Sequence, residues 1–155
     1  MAMVHEMLYG TGDFAYINYE KYLNQLITTL VVSIKGPDSN ITTHIDAKSI
    51  QLNIDTAIPL GLLINELITN SLIHAFPDDG SGRISVAIKR LPKHYELKLS
   101  DNGIGFPVDF DFQNSTSLGL GLVDTLTLQL DGKLHRETNN GTTYLITFKQ
   151  IESNA

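Results

Sequence analysis

The chain has 155 residues, 42% of them hydrophobic and 18% charged, enough for one domain with a sizeable core. Eleven Lys and Arg against seventeen Asp and Glu leave a formal charge of −6, the wrong sign for a protein that grips nucleic-acid phosphates through a basic surface. The absence of cysteine excludes disulfides, zinc knuckles and thiol nucleophiles. No apolar run approaches the roughly eighteen residues of a membrane span and MAMVHEMLYG lacks the features of a signal peptide, so a cytoplasmic domain without membrane contact is expected.

Residues 1–9, MAMVHEMLY, carry a short helical pattern with no capping residue before it, as the end of a longer helix does, and Gly10-Thr11-Gly12 marks a boundary after it. Asn18 is the predicted N-cap of an amphipathic helix over 19–33. In it Tyr19, Tyr22, Leu23, Leu26, Ile27, Leu30 and Val31 recur at intervals of three and four, and Gly36-Pro37 ends it. ITTHIDA (41–47) and SIQLNID (49–55) alternate apolar and polar residues and predict two strands. A second helix is predicted from Pro59 to Ala75, stopped by Pro77-Asp78-Asp79-Gly80. RISVAIKRL (83–91) and YELKLSD (95–101) predict strands joined across Pro92-Lys93-His94. Residues 102–117 show no period. LGLGLVDTLTLQL (118–130) predicts a helix closed by Asp131-Gly132. KLHRET (133–138) and TTYLITFK (142–149) predict two strands around an Asn139-Asn140-Gly141 turn. The order implies an α/β two-layer sandwich, a mixed β-sheet covered on one face by helices.

On the helix at 59–75, Leu60, Ile64, Leu67, Ile68, Leu72 and Ala75 share one side, while Glu66, Asn70 and His74 line up at intervals of four on the other. That second stripe holds no basic residue, unlike an ordinary solvated face, and reads either as a lining or as a half-exposed polar surface. An Asn amide oxygen is a neutral hard ligand suited to Mg²⁺, and a carboxylate one turn earlier suits the orientation or deprotonation of an attacking group. Asp101 ends a strand and is followed by Gly103 and Gly105. A carboxylate there accepts hydrogen bonds from an exocyclic amine such as N6 of adenine, and the alternative is a plain DNG turn. Ser117-Leu118-Gly119-Leu120-Gly121 opens a helix whose first N–H groups suit an anion, the alternative being close packing through glycine. No GxxxxGK[ST] occurs and neither glycine cluster completes GxGxxG, which leaves Walker and Rossmann folds unsupported. What remains is a specific order: ExxxN on a helix, DxGxG after a strand, GLGL opening a helix, and Gly141-Thr142 before the last strand.

In that order the sequence resembles the ATP-binding catalytic domain of sensor histidine kinases, within the superfamily shared with DNA gyrase, Hsp90 and the mismatch-repair ATPases. IPLGLLINELITNSLIHAF resembles its asparagine box, DNGIGFP and SLGLGLV its two glycine boxes, and NGTTYLITF its closing threonine strand. The resemblance implies a fold that binds ATP between helix and sheet under a mobile lid at 106–118, with the γ-phosphoryl group delivered to a histidine on a dimerisation hairpin. A response regulator would act downstream. It places Asn70 on Mg²⁺ and Glu66 where related ATPases keep a general base. Asp101, supported by Thr142, would meet the adenine amine; Gly103 and Gly105 would shape its pocket, and Gly119, Leu120 and Gly121 the phosphate end. His74 falls in the cofactor-binding stripe. Residues 1–12 would be the remnant of an upstream dimerisation helix and linker, and 13–155 the catalytic domain.

The chain departs from that pattern in three ways. No histidine among His5, His44, His74, His94 and His135 sits in a phosphoacceptor context, so this chain alone is not expected to autophosphorylate. Ile73 stands where many relatives carry a basic residue, and residues 102–132 hold no Lys or Arg. Two other readings therefore stay open: an anti-sigma-type serine kinase of the same fold, and a nucleotide-binding or docking module that has lost transfer. The scattered histidines have no metal-ligand spacing. Tyr16, Tyr19 and Tyr22 read as core and interface residues, and Phe106, Phe110 and Phe112 as anchors of the lid or as core filling.

Overall fold

The structure, a computed structural model, describes residues 16–76, 81–105, 120–138 and 140–151. A two-residue strand, β1 (Ile17–Asn18), leads into α1 (Tyr19–Lys35). Asn18 caps that helix as expected, its side chain accepting from the Lys21 N–H at 3.2 Å, and all seven predicted apolar positions are buried. Gly36 ends it at φ 90°, its N–H bonded to the Val32 carbonyl.

β2 (Ile41–Asp46) lies where expected. The strand expected over 49–55 is corrected: only β3 (Gln51–Leu52) is extended, pairing antiparallel with β1. Asn53 cuts it short, because its side chain accepts from the Thr56 N–H at 2.9 Å and starts α2 (Ile54–Asn70) there, well before Pro59. Pro59 thus sits inside the helix, in its second turn, where its missing N–H deprives the carbonyl of the exposed Asp55 of its intrahelical donor. The helical path continues to Ala75, but Ser71–Ala75 wind as a wider π-type turn.

β4 (Gly82–Arg90), β5 (Tyr95–Asp101), α3 (Leu120–Gln129), β6 (Lys133–Glu137) and β7 (Thr142–Phe148) fall close to their predicted spans. Expectations for residues 1–12, the Pro77-Asp78-Asp79-Gly80 turn, the 106–118 lid with its three phenylalanines, Gly119 and Asn139 lie outside the described residues.

The five-stranded sheet has the order β2-β4-β5-β7-β6, with β2 parallel to β4 and the other pairs antiparallel, a mixed sheet as the element order implied. Its register builds rows across the buried face: Ile88, Leu97 and Ile146, then Val86, Leu99 and Tyr144, and last Ile84, Asp101 and Thr142. The alternate positions, such as Arg83 and Lys98, face solvent. α2 packs between α1 and α3, and one hydrophobic cluster joins helices and sheet. Ile54–Ala75 is long and apolar enough to cross a membrane by length and composition alone, but 67% of its most apolar window is buried inside the domain, the property of a core helix.

Two tyrosines mark the α1–α2 contact. The Tyr19 hydroxyl donates to the Ala57 carbonyl at 3.0 Å. The buried Tyr22 hydroxyl has no hydrogen-bond partner among the described residues and lies against Gly61, where a Cβ would overlap it. Tyr16 is half exposed instead. Burial pushes both buried hydroxyls well above the usual phenol range. Their folded-state values are raised, so stability is flat with pH up to about 10 and is lost above it, by about 1.4 kcal/mol per pH unit for each tyrosine, as the unfolded chain ionises first. Urea unfolding at pH 7.5 and pH 11 checks this: Tyr22→Phe should raise stability at pH 7.5 by up to about 1 kcal/mol, Tyr19→Phe should lower it by about as much, and each should flatten the alkaline loss.

Candidate functional site

The last inward row of the sheet ends on a carboxylate where alternation would otherwise place an apolar residue. Asp101 is only 7% exposed, and its carboxylate accepts from three donors. The Gly103 and Thr142 N–H groups reach Oδ1 at 3.0 and 3.3 Å, and the Ser71 hydroxyl donates to Oδ2 at 2.8 Å. Ser71 and Thr142 lie 30 and 41 positions away in sequence. The α2 terminus, the β5 terminus and the β7 start therefore converge on one group.

The turn after Asp101 is shaped by close backbone contact. Asn102 locks onto β4, its N–H donating to the Arg83 carbonyl and its side chain accepting from the Arg83 N–H at 2.7 Å. Ile104 N–H donates to the Ala75 carbonyl at 3.0 Å, and a Cβ on Gly103 would overlap that carbonyl, so the turn needs glycine to seat against the π-type turn. Gly141, at φ 115°, passes so close to the Asp101 carbonyl that a Cβ there would overlap it.

These segments enclose a cleft of about 250 Å³, counted out to its open mouth, lined by Asn70, Ser71, His74, Ala75, Asp101, Gly105, Thr142 and Tyr144. Its enclosed part has room for about one water. Asn70 is buried in the wall and His74 is exposed at the rim. Among the described residues the lining holds one carboxylate and one imidazole but no Lys or Arg. A guanidinium lies behind it: Arg136 sits 5.3 Å from the centre of the Tyr144 ring. Burial pushes the Tyr144 hydroxyl up, and Arg136 pulls it partly back. Among the described residues no group of three or more His, Asp or Glu could hold a metal ion, so a cation here would rest on the Asn70 amide oxygen and on oxygens its ligand brings.

Of the residues singled out in the sequence, Asn70, His74, Asp101, Gly105 and Thr142 meet in this cleft, and Gly103 shapes the turn beside it. Glu66 is half buried one helical turn before Asn70, outside the lining. Leu120 opens α3, and Gly121 beside it is outside the lining, exposed with open space where a Cβ would stand. Ile73, at the position noted for its missing charge, is 49% exposed. Sequence reasoning missed Ser71, Ala75 and Tyr144 as lining. Alternation along β7 marks Tyr144 as inward-facing, whereas nothing in the local pattern distinguishes Ser71.

Residues 55–152 match the family described as "Histidine kinase-, DNA gyrase B-, and HSP90-like ATPase". The chain is 29% identical over 136 residues to the sensor histidine kinase PdtaS of Mycobacterium tuberculosis, covering 86% of this chain and 27% of that one. It is 32% identical over 110 residues to the serine-protein kinase RsbW of Listeria monocytogenes, covering 62% of this chain and 70% of RsbW. The fold superposes on the histidine kinase domain of the Erythrobacter litoralis blue-light activated histidine kinase with a TM-score of 0.73 at 28% identity, covering 83% of this chain and 59% of that one. The chain thus spans about a quarter of the length of PdtaS.

Proposed function

As the chain belongs to the histidine kinase-, DNA gyrase B- and HSP90-like ATPase family, we propose that its cleft binds Mg²⁺-ATP and presents the γ-phosphoryl group to a histidine of a dimerisation hairpin. On this reading it is the cytoplasmic catalytic domain of a two-component sensor kinase, with a response regulator receiving the phosphoryl group afterwards. The observation that carries the proposal is Asp101: a carboxylate held by three donors on a cleft wall whose described residues are otherwise poor in charge.

Asp101 accepts the adenine amine, and the Thr142 N–H keeps its carboxylate from rotating away. The cleft's enclosed part is too small for a purine, so entry requires its rim, where His74 is exposed, to open. Asn70 offers a neutral amide oxygen in the wall, which suits Mg²⁺, an ion that keeps several waters and takes most other ligands from phosphate oxygens. Bound there, the ion would neutralise charge on the β- and γ-phosphate oxygens. The N–H groups of Leu120 and Gly121 at the start of α3, with the positive end of its dipole, suit the anionic end of the nucleotide, a role the resemblance also gives Gly119. Glu66, one turn from Asn70, orients the incoming imidazole. The γ-phosphorus–oxygen bond to ADP breaks as the bond to the imidazole nitrogen forms in line, a reaction in which positioning and charge stabilisation do most of the catalysis.

Because neither the described lining of the cleft nor residues 102–132 contain Lys or Arg, removing Mg²⁺ is expected to weaken ATP binding by about tenfold or more. Calorimetric titration with and without EDTA checks this, and equal affinities would refute it. A dimerisation hairpin supplied in trans should then acquire phosphate on its histidine. The likeness to RsbW favours a second reading, phosphorylation of a serine on a small partner protein with no hairpin present; assaying both acceptors with labelled ATP separates the two, and phosphate on neither leaves the transfer-deficient module.

A further inference from the structure

β6 carries an arginine on the face of the sheet that is otherwise core. Along Lys133–Glu137 the half-buried positions are Leu134 and Arg136, while Lys133, His135 and Glu137 are exposed. The register sets Arg136 beside Tyr144, in the inward row that runs on through Leu99 to Val86. Taking a guanidinium partly out of water costs free energy, and the group cannot avoid that cost by giving up its proton. Its place is fixed by Tyr144: the guanidinium sits 5.3 Å from the ring centre and donates a hydrogen bond to the hydroxyl.

The strand order puts this charge to one side of the base site. From Asp101 at the end of β5 the inward face continues across Thr142 and Tyr144 of β7 to Arg136 of β6. α3 packs on β6 and finishes far from the cleft, where the Leu130 carbonyl accepts from the Lys149 N–H just beyond β7. Its start, with the positive end of the helix dipole, therefore lies towards the cleft, as does Arg136. A nucleotide whose base rests on Asp101 and whose phosphates extend towards α3 brings its negative charge to the side where Arg136 stands. Between guanidinium and cleft is the buried Tyr144 ring, which lines the cleft and screens the attraction far less than water does.

We infer that Arg136 is the cation that offsets phosphate charge in this cleft, acting through its field from behind Tyr144 and favouring ATP over ADP. The inference rests on the reading of the cleft as a nucleotide site. Arg136 is a positioning residue, drawing the anionic end of the ligand towards the β6 side.

The test measures ATP and ADP binding to the full chain with Mg²⁺ by calorimetric titration, in the native protein, Arg136→Gln, Arg136→Lys, Lys98→Gln and Asp101→Asn. Lys98 is exposed on the opposite face of the sheet, so Lys98→Gln removes the same charge from the chain but none from behind the cleft. Expected in Arg136→Gln is a loss of about tenfold for ATP and about threefold for ADP, which carries one phosphate fewer. Arg136→Lys keeps the charge and should bind ATP within about threefold of the native chain, and Lys98→Gln within about twofold. The ratio of the two affinities does not depend on the fraction of folded protein, so partial unfolding cannot imitate this result. Equal losses for ATP and ADP in Arg136→Gln, no loss for either, or a loss of ATP binding in Arg136→Lys or Lys98→Gln as large as in Arg136→Gln overturns the inference while leaving the site standing, provided Asp101→Asn weakens ATP binding. If the native chain binds neither nucleotide, or Asp101→Asn binds ATP as the native chain does, the nucleotide reading itself fails and the role of Arg136 with it.

Discussion

Replacing Asp101 by Asn is expected to weaken ATP binding by about a hundredfold or more while leaving the domain folded. The carboxylate is the one charged acceptor among the described residues of the cleft wall, and a hydrogen bond to a charged group contributes about 1.5–3 kcal/mol. Asn keeps one carbonyl oxygen, which can stay on the Gly103 and Thr142 N–H groups now served by Oδ1. Its amide nitrogen then takes the place of Oδ2 and turns a donor towards both the Ser71 hydroxyl and the adenine amine. The serine hydroxyl can reverse and accept, whereas the amine cannot, so the loss falls on the ligand and not on the fold. Calorimetric titration with Mg²⁺-ATP, paired with a melting curve, checks both parts. Binding within threefold of the native chain would remove Asp101 from the base-recognition role.

The largest expected effect on stability is that of Gly141→Ala. Gly141 has φ 115°, a region nearly closed to residues with a side chain, and its missing Cβ leaves room for the Asp101 carbonyl. Such a backbone conformation costs about 1–3 kcal/mol in a non-glycine residue, and the overlap is with main chain, which cannot rotate aside. Relief requires the start of β7 to move away from the end of β5, breaking the Asp101–Thr142 pairing at the edge of the cleft. The expected cost is about 3–5 kcal/mol, close to 10 °C in melting temperature for a chain of this size, with ATP binding lost together with it. Gly121→Ala is the contrasting case. A Cβ there stands in open space on the first turn of α3, so stability should rise slightly, by about 0.5 kcal/mol. Thermal unfolding of the two variants side by side checks the contrast, and similar losses in both would show that the close approach of Gly141 to Asp101 does not constrain the fold.

Most of the architecture was legible because burial imposes a period. The seven apolar positions of α1, the inward positions of β4, β5 and β7 and the apolar side of α2 all follow from spacings of 3.6 and 2. The start of α2 was misjudged because Pro59 imitates a first-turn proline, while the real cap, Asn53, lay inside an alternating stretch that resembled a strand. The two-residue pairing of β1 with β3 was missed because segments so short carry no period.

Residue chemistry along the chain determined that Asn70, Asp101 and the glycines around them are the candidates for nucleotide chemistry, since a buried-face carboxylate and a polar helical stripe without cations are anomalies visible in one dimension. Which atoms meet was decided by the tertiary structure alone. The β5–β7 register brings the Thr142 N–H to Asp101, and the α2 terminus brings the Ser71 hydroxyl to the same carboxylate. Periodicity reports which face a residue occupies, but a hydrogen bond depends on distance and angle to within a few tenths of an ångström, and those exist only once helix, sheet and turn are packed together.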